Sequence, residues 1–238
     1  AVLLYLLKTK PNFKTIAVVN QDYAWGRESW EIFSTALKAM KPDVQVVAEL
    51  FPKFGSPDYS TEVSRLLALR PDVVFTTSWG GDLDTLVRQA GQRGLLQQST
   101  FILAIGESSI QRLGKDLPEG LIVGARGDHW FLHPEKKGDA AFKAFNEAFK
   151  AKTGAWPIYP GYHMAQAFAA LQTAYDKAIK ANGGNWPTRE QVVDATAGIQ
   201  FATGFGRPVT LRPEDNQGLE AQLVGVTKTV PGYVFKLL

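Results

Sequence analysis

The sequence contains no cysteine, and this removes disulfides, zinc–thiolate sites and thiol nucleophiles from consideration. Histidine is nearly as scarce, with three in 238 residues. His129 and His133 are four apart, a spacing that could chelate a metal on a helix. Trp130, Phe131 and Pro134 make that segment a loop, however, and no H-E-x-x-H pattern is present. His163 reads as a helix-surface or packing residue. No apolar run approaches the ~20 residues that a membrane-spanning helix needs. No block of like charge occurs, and 26 basic against 23 acidic residues leave a net charge of +3. That balance gives no reason to expect a nucleic-acid or anionic-membrane partner.

The fingerprints of enzymes are missing too. There is no G-x-G-x-x-G, no G-x-x-x-x-G-K and no G-x-S-x-G. A phosphoacceptor domain would carry Asp at the end of its third strand, where Ser78 and Trp79 stand, and Lys after its fifth, where Arg126 stands. The expectation is a protein that is not an enzyme and takes no cofactor.

What is present is a regular alternation. Lys14 to Trp30, KTIAVVNQDYAWGRESW, reads as a buried strand, a polar and aromatic turn, and the start of a helix. Trp30, Phe33, Leu37 and Met40 recur at helical spacing, so the helix spans about 24–40. Lys41-Pro42-Asp43 ends it. Val44 to Phe51 is a second strand. FPKFGSPDYS is a loop, with Ser60 or Thr61 as the cap of a helix to Leu69. Val73 to Thr77 is a third strand, and SWGGD leads to a helix over about 82–93, with Asp82 read as its N-cap. Thr100 to Ile105 and Gly120 to Ala125 are the fourth and fifth strands, separated by a short helix that opens at Gly106. Five strands alternating with four helices call for a doubly wound parallel α/β sheet.

The remainder is less regular. GDHWFLHPEKKG reads as a loop. Phe142, Phe145 and Phe149 mark one helix. Tyr162 to Ala181 is a longer one, with Phe168, Leu171, Tyr175 and Ile179 on one face. Thr188 and Gln191 form a capping box. Strands are expected at 208–211, 219–229 and 233–237. These pieces are too few for a second complete α/β domain.

In open α/β sheets, ligands bind at the carboxyl ends of the strands. Three such ends carry distinctive residues: Asp22-Tyr23-Ala24-Trp25-Gly26, Ser78-Trp79-Gly80-Gly81-Asp82 and Gly106-Glu107-Ser108-Ser109. Indole and phenol rings offer contact area at small entropic cost. Glycine lets a ligand approach the backbone. Glu107 can pair with an ammonium or accept from a hydroxyl. Each has a plainer reading: Trp25 and Trp79 as packing residues, Asp22 as a turn residue, Glu107 as the complement of a helix N-terminus. Together they describe a small-molecule cleft better than a catalytic triad.

The segments NQDYAWGRESWEIF, LLALRPDVVFTTSWGGDLDTLVRQAGQRGL and GYHMAQAFAALQTAYDKA resemble the type I periplasmic solute-binding proteins. More narrowly, they resemble the branched-chain amino acid group that serves ATP-binding-cassette (ABC) importers. The resemblance implies two doubly wound lobes that clasp a solute by hinge closure. It implies a periplasmic protein whose partners are a small solute and a membrane permease. A ligand-sensing effector domain of the same fold is the alternative. On this resemblance residues 1–13 end a helix of the N-terminal lobe, and 14–126 form a complete C-terminal lobe. Residues 127–238 are then crossover, helices and strands that partly belong to a truncated N-terminal lobe, whose absence would leave apolar surface open to association. The implied ligand-binding residues are Tyr23, Trp25, Trp79, Gly80, Glu107 and Ser108, with Glu107 near the position that receives a ligand amino group. Tryptophan at both aromatic positions would also suit a flatter ligand, such as an aromatic acid.

Overall fold

The computed structural model describes residues 1–127, 129–130, 139–204, 208–220 and 222–233. By internal contacts the chain divides into two compact units, Ala1–Arg126 with Gln222–Leu238, and Gly127–Ala221.

The first unit is built on a six-stranded sheet. Its strands are β1 (Thr15–Val19), β2 (Gln45–Leu50), β3 (Val73–Thr76), β4 (Thr100–Leu103), β5 (Ile122–Arg126) and, from the far end of the chain, β9 (Gln222–Val226). The order is β2-β1-β3-β4-β5-β9. β1 to β5 run parallel, and β9 pairs antiparallel with β5. The helices are α1 (Val2–Thr9), α2 (Ala24–Met40), α3 (Ser60–Leu69), α4 (Gly80–Gln92) and the single turns α5 (Leu95–Gln98) and α6 (Ile110–Leu113).

The apolar runs explain the sheet. Ile16 to Val19 are buried on both faces, as a central parallel strand covered by helices requires. The buried stripe of α2 is Trp30, Phe33 and Leu37. The Phe33 and Phe75 rings stack at 4.0 Å, and Trp30 lies 6.0 Å from each. Each such side chain contributes about 2 kcal/mol over its exposed state. α2 has the predicted span, and α4 starts two residues before the predicted 82.

α1 buries Leu3 and Leu6 in the same core cluster as Ile16, Phe75 and Ile122, so it packs with the parallel sheet. β9 also joins that sheet, because Leu223, Val224 and Val226 pair with the open edge of β5. The expected strand over 219–229 is thus two: β8 (Gly218–Leu219) lies in the second unit and β9 in the first.

The second unit holds α7 (Ala140–Thr153), α8 (Tyr159–Ala181), α9 (Arg189–Thr196) and a small antiparallel sheet, order β6-β7-β8, of β6 (Gln200–Phe201), β7 (Val209–Leu211) and β8. The Asp139 carboxylate caps α7 by accepting from the Phe142 amide. The capping box of Thr188 and Gln191 starts α9. Ala174, Ala178, Val192, Ile199, Phe201 and Val209 form its main core. The predicted stripe of α8 is not the buried one in this unit: Phe168 is 66% exposed, and Tyr162, Gln166, Ala174 and Ala178 are buried instead. Phe131, His133 and Pro134, with most of the predicted loop, lie outside the described residues, as does the predicted last strand beyond Tyr233.

Among the described residues no helix is long and apolar enough to cross a membrane. Nor do any three His, Asp or Glu side chains converge as a metal site there.

Candidate functional site

The carboxyl edge of the first unit's sheet is laced by buried polar side chains. Asn20, directly after β1, donates through Nδ2 to the Gly26 carbonyl at 2.7 Å and accepts through Oδ1 from the Thr77 amide at 2.7 Å. One amide thereby fixes the loops after β1 and β3. Gly26 is required here, since a Cβ at this position would sit 2.0 Å from the Gln21 carbonyl oxygen.

Asp82 binds a third loop in. Its Oδ2 accepts from Gln21 Nε2 and from the Gly55 amide, both at 2.8 Å. The expectation that Asp82 caps α4 is therefore corrected. Trp79 is the N-cap residue, no side chain caps the helix, and the Asp82 carboxylate turns away to tie the β1 and β2 loops to α4. The buried Tyr59 phenol is pushed above its ordinary pKa, first by burial and then by the negative charge of Asp82.

On this frame stand the rings. Trp79 Nε1 donates to the Tyr23 hydroxyl at 2.8 Å. Phe54 meets Tyr23 edge-on at 5.4 Å and Trp79 at 5.7 Å. Trp25 Nε1 donates to the Thr77 carbonyl at 3.3 Å. Trp25, Phe54 and Trp79 are 43%, 48% and 41% exposed, which is unusual for three large rings held this firmly. Gly80 has φ +62°, and nothing lies within 4 Å of where a Cβ would project, so the backbone after Trp79 is open to approach.

Glu107 and Ser108 lie on the next strand end, in a 3-10 turn over Gly106–Ser109. Both are buried. The Glu107 Oε1 is met by Arg126, the last residue of β5, through Nη2 at 2.7 Å and Nε at 2.9 Å. The Ser108 carbonyl accepts from Arg112, which in turn pairs with Asp84 at 2.7 Å. Of the six residues expected to bind a ligand, the structure brings Tyr23 and Trp79 into direct contact. It ties Trp25 to the loop that carries Trp79 and Gly80, and sets Glu107 and Ser108 one strand further along. Sequence reasoning missed Phe54 and Arg126.

A cavity of about 480 Å³ lies at the opposite, amino end of the strands, lined among others by Phe13, Asp72, Thr100 and Gly120. The Asp72 carboxylate there is occupied by the amides of Lys14 and Thr15, which hold it below its ordinary pKa.

A family model described as "Periplasmic binding protein" matches residues 1–227. The chain belongs to the periplasmic binding protein family. Its mainly parallel α/β sheet is the fold of that family's solved members. A solute-binding protein of an ABC transporter from Rhodopseudomonas palustris BisB5, solved with 3,4-dihydroxybenzoic acid, superposes with a TM-score of 0.77 at 19% identity. That match covers 99% of this chain and 62% of the other. The leucine-, isoleucine-, valine-, threonine- and alanine-binding protein of Brucella ovis, in its closed conformation, gives 0.71 at 23% identity, covering 98% and 58%. Among curated relatives, Leu/Ile/Val-binding protein homolog 4 of Brucella abortus (strain 2308) is 29% identical over 142 residues. This match takes in 59% of the chain and 32% of that relative. This periplasmic binding protein chain thus spans about a third of its curated relatives in the matched region and under two thirds of the solved ones.

Proposed function

We propose that this chain is part of the solute-binding component of an ABC importer, acting in the periplasm and delivering a small amino-acid-like or carboxylate solute to a membrane permease. The observation that carries the reading is the group of solvent-accessible rings, Tyr23, Phe54 and Trp79 with Trp25 beside them, linked by their own hydrogen bonds and ring contacts above the buried bonds of Asn20 and Asp82 at the carboxyl edge of a parallel sheet. That edge is where open α/β folds take ligands. Rings held rigid there gain contact area with a solute at small cost in entropy. The names of the relatives support the same reading, since they describe proteins that bind branched-chain amino acids and hydroxylated benzoates. The role proposed is binding rather than turnover. Gly127–Ala221 is proposed as the part of the chain that returns to a second lobe.

The test is a thermal-shift and calorimetric screen of the full-length protein against amino acids, amides and aromatic carboxylates. A solute at a hundred times its Kd stabilises the folded state by about 2.7 kcal/mol, which a melting curve resolves. Stabilisation by one class and not the others identifies the ligand. No stabilisation by any of them overturns the proposal.

A further inference from the structure

The charged groups at the β4–β5 end of the edge bear on the sign of the solute. We infer that Arg126 receives the carboxylate of an amphipathic acid, and that Glu107 positions Arg126 rather than meeting a ligand's ammonium group. This rests on the solute-binding reading and adds the ligand's charge to it.

The two side chains differ in depth. The Glu107 side chain is fully covered, whereas that of Arg126 is 21% exposed. A buried carboxylate is costly unless paired, and the protein supplies the pair from β5 through two short contacts to Oε1. An approaching ammonium would meet the guanidinium before the covered carboxylate, and like charge would repel it. An approaching carboxylate would meet the cation. A guanidinium presents five N–H donors in a planar fork, a geometry matched to carboxylates, and contact with Glu107 through Nε and Nη2 sets the plane of that fork.

Other acidic groups described near this edge are engaged as well, including Glu220, which lies against Gly127 and accepts from Gln166 at 2.6 Å. Asp82 accepts from Gln21 and Gly55, Asp84 pairs with Arg112, and Asp22 pairs with Arg27 at 2.6 Å. The rings occupy the loops after β2, β1 and β3, and Arg126 ends β5. β3 and β5 are two strand spacings apart, about 10 Å. A solute lying along the edge would place its apolar part on the rings and its anionic end at Arg126. An aromatic or branched monocarboxylate without an amino group has that shape and charge.

The experiment is isothermal titration of the full-length protein with three probes that share one ring: benzoate, benzamide and benzylamine. Wild type is expected to bind benzoate in preference to the other two. Arg126→Gln alone strands a buried carboxylate, so the informative variant is Glu107→Gln with Arg126→Gln, which removes both charges. It is expected to keep the wild-type circular dichroism spectrum and to lose about ten- to a hundredfold in benzoate affinity, the range for a charge-assisted hydrogen bond. Glu107→Gln alone is expected to weaken benzoate binding, because the guanidinium loses the contact that sets its plane, but to keep the preference for benzoate over benzylamine. The inference is overturned if the double variant binds benzoate as wild type does, or if benzylamine or a zwitterionic amino acid binds preferentially and Glu107→Gln abolishes it. In the latter case the solute-binding reading survives. If no probe and no amino acid binds wild type, that reading fails and this inference fails with it.

Discussion

The indole N–H of Trp79 donates to the phenolic oxygen of Tyr23 across 56 positions of sequence, at 2.8 Å. Neither ring is buried, so the bond is not there to satisfy a core. It fixes the plane of an exposed indole. Tyr23→Phe deletes the acceptor and leaves the indole N–H to water, so stability should change by less than about 1 kcal/mol while solute affinity falls. Trp79→Ala and Trp25→Ala should each lower affinity by about tenfold or more, as for anchor residues at other interfaces, with native circular dichroism. Calorimetry and a urea melt on each variant check this. Unfolded Trp25→Ala and Trp79→Ala proteins would show that both rings serve packing instead.

Asp82 joins three loops through one carboxylate oxygen. Asp82→Ala leaves Gln21 Nε2 and the Gly55 amide without their acceptor. The expected loss is about 2–3 kcal/mol in urea unfolding, with weaker solute binding because Phe54 adjoins Gly55. The Tyr59 phenol should also titrate closer to its ordinary value once the neighbouring charge is gone, which an ultraviolet pH titration of the folded variant would follow. A Tyr59 titration unaltered by the substitution would assign the shift to burial alone.

Gly26→Ala would push a methyl group into the Gln21 carbonyl, and backbone cannot swing aside as a flexible side chain can. Overpacking of this kind costs about 1–3 kcal/mol. The loop carrying Tyr23 and Trp25 should shift as well, so melting temperature and affinity fall together. A variant with wild-type stability would mean that the turn has another accessible shape.

Asp43 is held well below its ordinary pKa of 3.8, at about 2, first by its hydrogen bond with Lys14 and then by that with Lys41. A depressed carboxylate contributes stability that is fully present above the unfolded-state value and is lost as pH falls through the folded one. The stability difference between wild type and Asp43→Asn should therefore be constant above about pH 4 and vanish towards pH 2. Salt should shrink it, because the pair is exposed. A difference that persisted at pH 2 would point to a role other than charge.

The parallel part of the sheet was legible because its information is local. The run Ile16 to Val19 and the stripe Trp30, Phe33, Leu37 each declare their period within a few residues. The rings after β1 and β3 were legible as candidates because open α/β folds take ligands at those strand ends. Phe54 was read only as part of a Pro/Gly/Ser loop, although an aromatic beside Gly55 at a strand's carboxyl end was a usable signal. Arg126 and Glu107 meet across 19 residues and β9 meets β5 across about a hundred, and nothing in either local pattern announces its partner. Asp82 looked like a cap because Asp in a first helical turn usually is one. The acceptor was claimed by groups 27 and 61 positions away.

The pairing of β5 with β9 also bears on how the chain folds. Ile122 lies opposite Val226, and Arg126 opposite Gln222, with the whole of Gly127–Ala221 in between. Until β9 docks, wherever the chain folds, β5 stands with an unsatisfied backbone edge. Such an edge is a template for pairing with the wrong strand, including one from another unfolded copy. A chaperone that shields it in that interval would raise the yield of native protein without touching the site.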